Sequence, residues 1–157
     1  MSLPLPSDTA IRTLLEESRV IAVIGAKDKA GQPVDDVGRY LMAAGYKVIP
    51  VHPVRQNVWG LPTYRSIEEI PEPVDIVDVF RASEFCLEHA RETLRLASRP
   101  RCFWMQLGVS NSEASKLVED GGILSVSDKC IKIEHMRLAA GPACPGVLHS
   151  LHCGEQA

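Results

Sequence analysis

The chain has 157 residues, of which 45% are hydrophobic and 24% charged, a composition typical of one soluble globular domain. Its net charge of −3 does not favour binding to nucleic acid, which requires a clustered basic surface. No apolar run approaches the roughly 20 residues that span a bilayer, and residues 1–8 lack the features of a signal peptide. We therefore expect a cytoplasmic protein that binds neither nucleic acid nor membranes.

Strands and helices are predicted to alternate along the chain. A helix capped by Asp8 and ending near Ser18 comes first, followed by a short run rich in Val and Ile that stops at Gly25. The irregular segment 56–73 is expected to supply only a stunted strand, at 63–64. The other predicted elements are a helix at 34–44, strands at 47–51, 75–80, 102–107 and 123–126, a helix capped by Ser83, and a helix with a capping box of Ser110 and Glu113.

This alternation predicts an α/β fold, with a doubly wound, mostly parallel, Rossmann-like sheet and helices on both faces. We expect the strand order 3-2-1-4-5-6, with a reduced third strand. Residues 1–138 are expected to form one domain, and residues 139–157, rich in Gly, Pro and small residues, an irregular tail. In such folds the ligand lies outside the carboxyl ends of the strands, close to a helix N-terminus.

The turn after the first strand indicates a nucleotide ligand. The usual dinucleotide-binding pattern is G-x-G-x-x-G with an acidic residue at the end of the second strand. Only the first glycine, Gly25, is present, because Lys27 and Ala30 occupy the second and third positions. His52 and Arg55 follow the second strand, with no carboxylate to bind a ribose 2′-hydroxyl. A basic residue there suits a phosphate on the ribose, which favours coenzyme A or NADP over NAD.

Five stretches, in matching order and spacing, resemble the small stand-alone CoA-binding proteins, which are similar to the CoA-binding domain of the succinyl-CoA synthetase alpha subunit. The resemblance covers about residues 10–138. At His52 this chain departs from the family, which usually has Asn before the proline. The stretches are IAVIGA at 21–26, GYKVIPVHP at 45–53, IPEPVDIVDVFR at 70–81, WMQLGV at 104–109 and CIKIEH at 130–135.

The resemblance implies coenzyme A as the ligand, together with a set of contact residues. The turn would offer the N–H groups of Gly25 and Ala26 to the pyrophosphate, with added charge from Lys27 or Lys29. Lining the adenosine side would be Pro50, His52 and Pro53, with Arg55 on the 3′-phosphate. The wall beyond the fourth strand would be formed by Val79, Phe80 and Arg81. The pantetheine arm would pass Gln106 and Gly108.

Several of these residues also have structural explanations. Lys27 and Lys29 are equally what a solvated loop contains. Arg81 is as well suited to an ion pair with Asp78 or Glu84 as to a phosphate contact. We expect Asp78, inside an apolar strand, to be a hydrogen-bonded structural carboxylate rather than an acid catalyst.

The remaining titratable residues are expected to be structural. Glu134 and His135 are adjacent, and adjacent residues do not face one another on a helix. Cys130 is the thiol best placed to meet a ligand, and a mixed disulfide with CoA is conceivable, although an inert buried thiol is the simpler expectation. The tail offers Cys144, His149, His152 and Cys153, but no second cluster supports them, so we expect no bound metal.

The predicted function is non-catalytic binding of coenzyme A or an acyl-CoA by a carrier, sensor or regulatory module. No Ser-His-Asp set, paired carboxylates or Walker loop is found. The synthetase reaction uses a second domain with a phosphorylated histidine, which the chain after Leu138 is too short to supply. The alternatives are an NAD(P)-binding oxidoreductase or redox sensor, and a subunit of an acyl-CoA ligase.

Overall fold

A computed structural model describes residues 5–138, so the tail predicted at 139–157 lies outside the described residues. The helices are α1 (Asp8–Glu17), α2 (Pro33–Ala43), α3 (Cys86–Arg95), α4 (Ser112–Asp120) and α5 (Ile131–Leu138). The strands are β1 (Val20–Ile24), β2 (Lys47–Val51), β3 (Asn57–Val58), β4 (Leu61–Pro62), β5 (Ile76–Val79), β6 (Cys102–Met105) and β7 (Leu124–Val126). Short 3₁₀ turns lie at Ile67–Glu69 and Ser83–Phe85. Within 5–138 no helix is long and apolar enough to cross a membrane.

Five parallel strands form the main sheet, in the order β2-β1-β5-β6-β7. A single parallel bridge from Val51 to Tyr64 lies beside β2, at the position of the reduced third strand. The predicted strand order and fold class are therefore confirmed. The Pro50 carbonyl accepts the N–H of Tyr64 at 3.1 Å, so Pro50 turns its missing N–H toward this reduced edge and not toward β1. The strands β3 and β4 form a separate antiparallel hairpin.

Helices cover both faces of the sheet. Successive strand residues point to opposite faces, so Ile21 and Val23 pack against α1, α2 and α5, whereas Ala22 and Ile24 pack against α3 and α4. Both faces of every central strand are therefore buried, which explains the nearly continuous apolar runs in the sequence. The largest fully buried side chains include Trp104 in β6.

Two predicted helix caps are wrong by one residue. Ser7, not Asp8, caps α1, because its Oγ accepts the N–H three residues on at 3.0 Å. Asn111 caps α4 in the same way at 3.0 Å, so the predicted capping box at Ser110 does not form. The predicted cap at Ser83 is also wrong, because the residue before α3 is Phe85, which makes no side-chain cap. Ser83 lies in the 3₁₀ turn that precedes the helix, and its Oγ accepts the Ser110 N–H at 3.0 Å. Adjacent residues of similar capping propensity compete, and the packing of the helix selects one of them.

Asp78 in β5 lies between Val23 and Trp104 of the neighbouring strands and is fully buried. Neither carboxyl oxygen has a hydrogen-bond partner among residues 5–138, so the predicted hydrogen-bonded carboxylate is wrong. Burial raises the pKa of Asp78 well above its ordinary value. The folded protein therefore favours the neutral carboxyl, since an ionised carboxylate costs far more to bury.

Helix α5 is fixed against α2 by a buried histidine. His135 Nδ1 lies 2.6 Å from the Tyr40 hydroxyl, and its ring makes edge contacts with Tyr40 and Tyr46 at centroid distances of 5.4 and 5.8 Å. Burial lowers the pKa of His135. The adjacent Glu134 instead accepts from Arg137 at 2.7 Å, so the two neighbours have separate structural contacts. This docking positions the start of α5 beside the carboxyl edge of the sheet.

Candidate ligand-binding site

A cavity of about 450 Å³ opens at the carboxyl ends of β1, β5 and β6. The start of α2 and the segment entering α5 complete its walls, through Pro33, Val34, Cys130 and Ile133. Its volume falls in the range of small-molecule sites, and its position is the one expected for a ligand of an open parallel sheet.

The structure brings some of the sequence-predicted contact residues to this cavity and leaves others outside its lining. Those that line it are Gly25, Lys27, Phe80, Arg81 and Gln106. Those that do not are Ala26, Lys29, Pro50, His52, Pro53, Arg55, Val79 and Gly108.

Gly25 forms the turn between β1 and the cavity. Its φ of +87° is open to glycine and unfavourable for other residues. A Cβ here would also lie far inside van der Waals distance of the Phe80 carbonyl oxygen, so the two loops approach more closely than any other residue type allows. The N–H groups of Gly25 and Ala26 donate to the Val51 carbonyl at 2.9 and 3.2 Å. Both groups are thus hydrogen-bonded within the fold, and their contact with a pyrophosphate stays a prediction.

Basic side chains gather at the β1 and β2 end of the site. His52 is half-buried, and its Nδ1 accepts the N–H groups of Val54 and Arg55, both at 3.1 Å. Its pKa is lowered first by burial and then by the positive charges of Arg55, Lys27 and Arg81. Arg55, Lys27 and Arg81 come from three different loops, and the positive charge of each disfavours protonation of the imidazole. This basic cluster of Lys27, Arg55 and Arg81 is suited to a polyanion.

Arg55 is held by a carboxylate that the sequence analysis did not single out. Its guanidinium lies 3.2 Å from Asp28 Oδ1, in the loop after β1. The other Asp28 oxygen accepts the Trp59 N–H at 3.4 Å. Trp59 in turn donates its indole N–H to Asp35 at 2.8 Å, and its ring lies directly on Gly38 in α2. The β3–β4 hairpin is thereby fixed to the start of α2 beside the site.

Arg81 is free of the ion pairs considered for it. Its guanidinium stacks over the Phe85 ring, 4.3 Å from the centroid. Among residues 5–138 it forms no ion pair with Asp78 or Glu84. Its charge therefore remains available to the cavity that it lines.

Four predicted contacts occupy other positions for simple geometric reasons. Val79 is fully buried with the α3 and α4 side of the core, because strand alternation turns it away from the face that Asp78 occupies. Pro50 is buried within β2, and Pro53 is exposed in the loop beyond it. Gly108 is exposed and donates its N–H to Asp128 at 2.7 Å.

The far end of the cavity holds Gln106 and Cys130. Gln106 is 4% exposed, and its Oε1 accepts the Ile131 N–H at 3.1 Å. Cys130 precedes α5 and is half-buried, with a free thiol. In residues 5–138 no group of three His, Cys, Asp or Glu side chains is arranged to hold a metal ion, and the candidate ligands of the tail lie outside that range.

Comparison with known proteins assigns the family. Residues 19–136 match the CoA binding domain family, which is most of the chain. The protein belongs to the CoA-binding domain family. This CoA-binding domain is 36% identical over 130 residues to the uncharacterized protein YneT of Bacillus subtilis, covering 83% of this chain and 95% of that one.

Solved structures of similar size share its fold. The structure of cell-free ID.343 from Thermus thermophilus is 38% identical to this CoA-binding domain, with a TM-score of 0.80 over 85% of this chain and 99% of that chain. A hypothetical protein from Pyrococcus horikoshii OT3 is 31% identical, with a TM-score of 0.81 over 88% of this chain and 99% of that chain. The CoA-binding domain thus matches proteins that consist of little else.

Proposed function

We propose that this protein binds coenzyme A or an acyl-CoA in the cavity at the carboxyl edge of the sheet and catalyses no reaction on it. The observation that carries the proposal is the basic cluster of Lys27, Arg55 and Arg81, at one end of a cavity in a chain of the CoA-binding domain family. Coenzyme A has a pyrophosphate and a ribose 3′-phosphate at one end and an uncharged arm at the other. The site has the same arrangement, with positive side chains at one end and mainly apolar walls elsewhere.

The charged end of the ligand fits the β1 and β2 side. Arg55, exposed beyond β2, is placed for the 3′-phosphate, where a guanidinium forms strong charge-assisted hydrogen bonds. Lys27 and Arg81 line the cavity itself and are placed for the pyrophosphate. A phosphate at Arg55 would compete with Asp28, so part of the binding energy is used to replace that ion pair.

The uncharged arm fits the rest of the cavity. Between the basic cluster and Cys130 the walls are mainly apolar, with Val34, Val37, Phe80 and Val109 among them. No His, Asp or Glu of residues 5–138 lines this cavity, so these residues offer no general base within it. That lining suits holding a ligand rather than transforming it.

Isothermal titration with coenzyme A, dephospho-CoA and NADP tests the proposal. We expect coenzyme A to bind most tightly, and dephospho-CoA about tenfold or more weakly, because it lacks the phosphate that Arg55 would bind. Arg55→Glu should abolish the preference for the 3′-phosphate. Lys116→Glu makes the same charge change on the exposed face of α4 and should leave binding unaltered.

The same basic cluster also suits the 2′-phosphate of NADP, which keeps the oxidoreductase alternative testable in one experiment. Binding of NADP without any response to coenzyme A would overturn the proposal in favour of a nicotinamide-binding protein. Mass spectrometry of small molecules that co-purify with the protein provides an independent check.

A further inference from the structure

Exposed apolar side chains lie at the end of the cavity that is opposite the basic cluster. Leu107 and Ile133 both line the cavity, and they are 65% and 51% exposed. Met136 follows Ile133 by one turn on the same side of α5 and is 59% exposed. We call these three residues the apolar rim. An exposed apolar surface that continues a ligand cavity is typical of a contact surface for an apolar group.

The backbone holds Leu107 in this outward position. Leu107 lies in a turn after β6, in which the Val109 N–H donates to the Gln106 carbonyl at 2.8 Å. From the loop after β7, the Asp128 carboxylate accepts the Gly108 N–H at 2.7 Å, and the Asp128 N–H donates to the Val109 carbonyl at 3.0 Å. Two loops therefore fix the turn, and the exposure of Leu107 is built into the fold.

The cations that line the cavity lie away from the apolar rim. Within residues 5–138 these cations are Lys27 and Arg81, which follow β1 and β5, whereas the rim lies in the segments after β6 and β7. Of the two lysines nearest the rim in sequence, Lys132 pairs with Asp36 at 2.8 Å, and Lys129 does not line the cavity. An uncharged apolar group therefore suits this end of the cavity better than an anionic group.

The length of the pantetheine arm brings its sulfur to the apolar rim. Neighbouring strands lie about 4.8 Å apart, and β5 is the one strand between β1 and β6, so the ends of β1 and β6 are roughly 10 Å apart. The extended arm of coenzyme A is longer than this distance. With the pyrophosphate at Lys27 and the arm directed across β5, the sulfur and any acyl group bonded to it lie beyond β6, at the rim.

We propose that the apolar rim binds the acyl chain of an acyl-CoA, so that the preferred ligand is a thioester of an apolar fatty acid. This inference rests on the proposed function, because the nucleotide contacts position the thioester. The chain lies across Leu107 and Ile133 toward Met136, with one side left open to solvent. A fully buried methylene contributes about fourfold to affinity, so we expect about twofold for each methylene on this open surface.

Isothermal titration of the full-length protein with acetyl-, butyryl-, hexanoyl- and succinyl-CoA tests the inference. Hexanoyl-CoA has four more methylenes than acetyl-CoA and should bind roughly tenfold more tightly. Butyryl-CoA and succinyl-CoA have chains of equal length, but succinyl-CoA ends in a carboxylate where butyryl-CoA ends in a methyl group. Butyryl-CoA should bind about threefold or more tightly than succinyl-CoA, because the rim offers the carboxylate no partner.

Substitutions in the rim test where the acyl chain binds. The double variant Leu107→Ser/Ile133→Ser should reduce the ratio of hexanoyl-CoA to acetyl-CoA affinity to about twofold or less. Leu107→Ser alone changes only a turn and should give an intermediate ratio, which keeps the test decisive if the double variant does not fold. Leu5→Ser is the matched control, because Leu5 is 78% exposed but does not line the cavity, and it should keep the ratio of the parent protein.

A parallel titration with free coenzyme A separates this inference from the proposed function. Binding of coenzyme A and of all four thioesters with equal affinity overturns the acyl site and leaves the proposed function intact. Tighter binding of succinyl-CoA than of butyryl-CoA, or an unchanged ratio in both rim variants, also overturns the acyl site. Absence of binding by coenzyme A and by every thioester overturns the two proposals together.

Discussion

Replacing Gly25 with alanine tests the turn that shapes the binding site. Gly25 combines a φ of +87° with a close approach to the Phe80 carbonyl oxygen, so alanine faces both a backbone penalty and a steric clash. Gly31 provides a matched control, because it has the same φ of +87° but open space where a Cβ would lie.

The two penalties can be estimated separately. A left-handed backbone costs alanine about 1–2 kcal/mol, offset by about 0.4–1 kcal/mol from the stiffer unfolded chain, so Gly31→Ala should lose roughly 1 kcal/mol. At Gly25 the clash must also displace β1 from β5, where the Phe80 N–H donates to Ile24 at 2.9 Å. Overpacking of this kind adds about 1–3 kcal/mol, for a total of roughly 2–4 kcal/mol.

Urea or thermal unfolding measures the difference. For a chain of this size about 1 kcal/mol corresponds to a Tm change of roughly 3 °C, so Gly25→Ala should melt roughly 6–12 °C lower than the parent and Gly31→Ala roughly 3 °C lower. Gly25→Ala should also weaken coenzyme A binding at a temperature where it remains folded. Equal losses of stability in the two variants would refute the argument that the contact with Phe80 requires glycine.

Three further outcomes follow from buried groups around the site. Because the pKa of Asp78 is raised in the folded protein, this carboxyl ionises in the unfolded chain first, above the ordinary value of 3.8, and stability falls as the pH rises. Asp78→Asn should therefore raise the free energy of unfolding at neutral pH by about 1 kcal/mol or more, as measured by urea unfolding. A lower free energy of unfolding would contradict this. The lowered pKa of His135 has the opposite effect on the pH dependence of stability. As the pH falls below 6.5, this histidine is protonated in the unfolded chain first, so stability falls by about 1 kcal/mol toward pH 5. His135→Gln should flatten that part of the stability curve, and an unchanged slope would count against it. Gly38→Ala should push the Trp59 ring off α2 and shift tryptophan emission to longer wavelength while Trp104 stays buried, and an unchanged spectrum would show that the ring does not pack there.

The sheet could be predicted from local patterns because each strand is a short apolar run and each helix has its own apolar face. The reduced third strand could also be predicted, because the segment around Tyr64 has no continuous apolar run. The caps were less certain, because Ser7 and Asp8 have similar propensities; in the structure Ser7 caps the helix and Asp8 pairs with Arg137. Local propensity does not contain that long-range contact.

The lining of the cavity was predictable where it follows directly from a strand end, as at Gly25, Phe80 and Arg81. The parts of the site that depend on tertiary packing could not be predicted. Nothing near Trp59 in the sequence indicates that its ring lies on Gly38, and the use of the Gly25 N–H by Val51 depends on how β2 ends beside β1. Both contacts link residues that are distant in sequence.

A crystal structure of the protein saturated with coenzyme A tests the central claim most directly. The account predicts a pyrophosphate between Lys27 and Arg81, a 3′-phosphate at Arg55, and an arm that passes Gln106 toward Cys130. Coenzyme A bound elsewhere, or side chains filling the cavity so that no pyrophosphate fits beside Gly25, would contradict it.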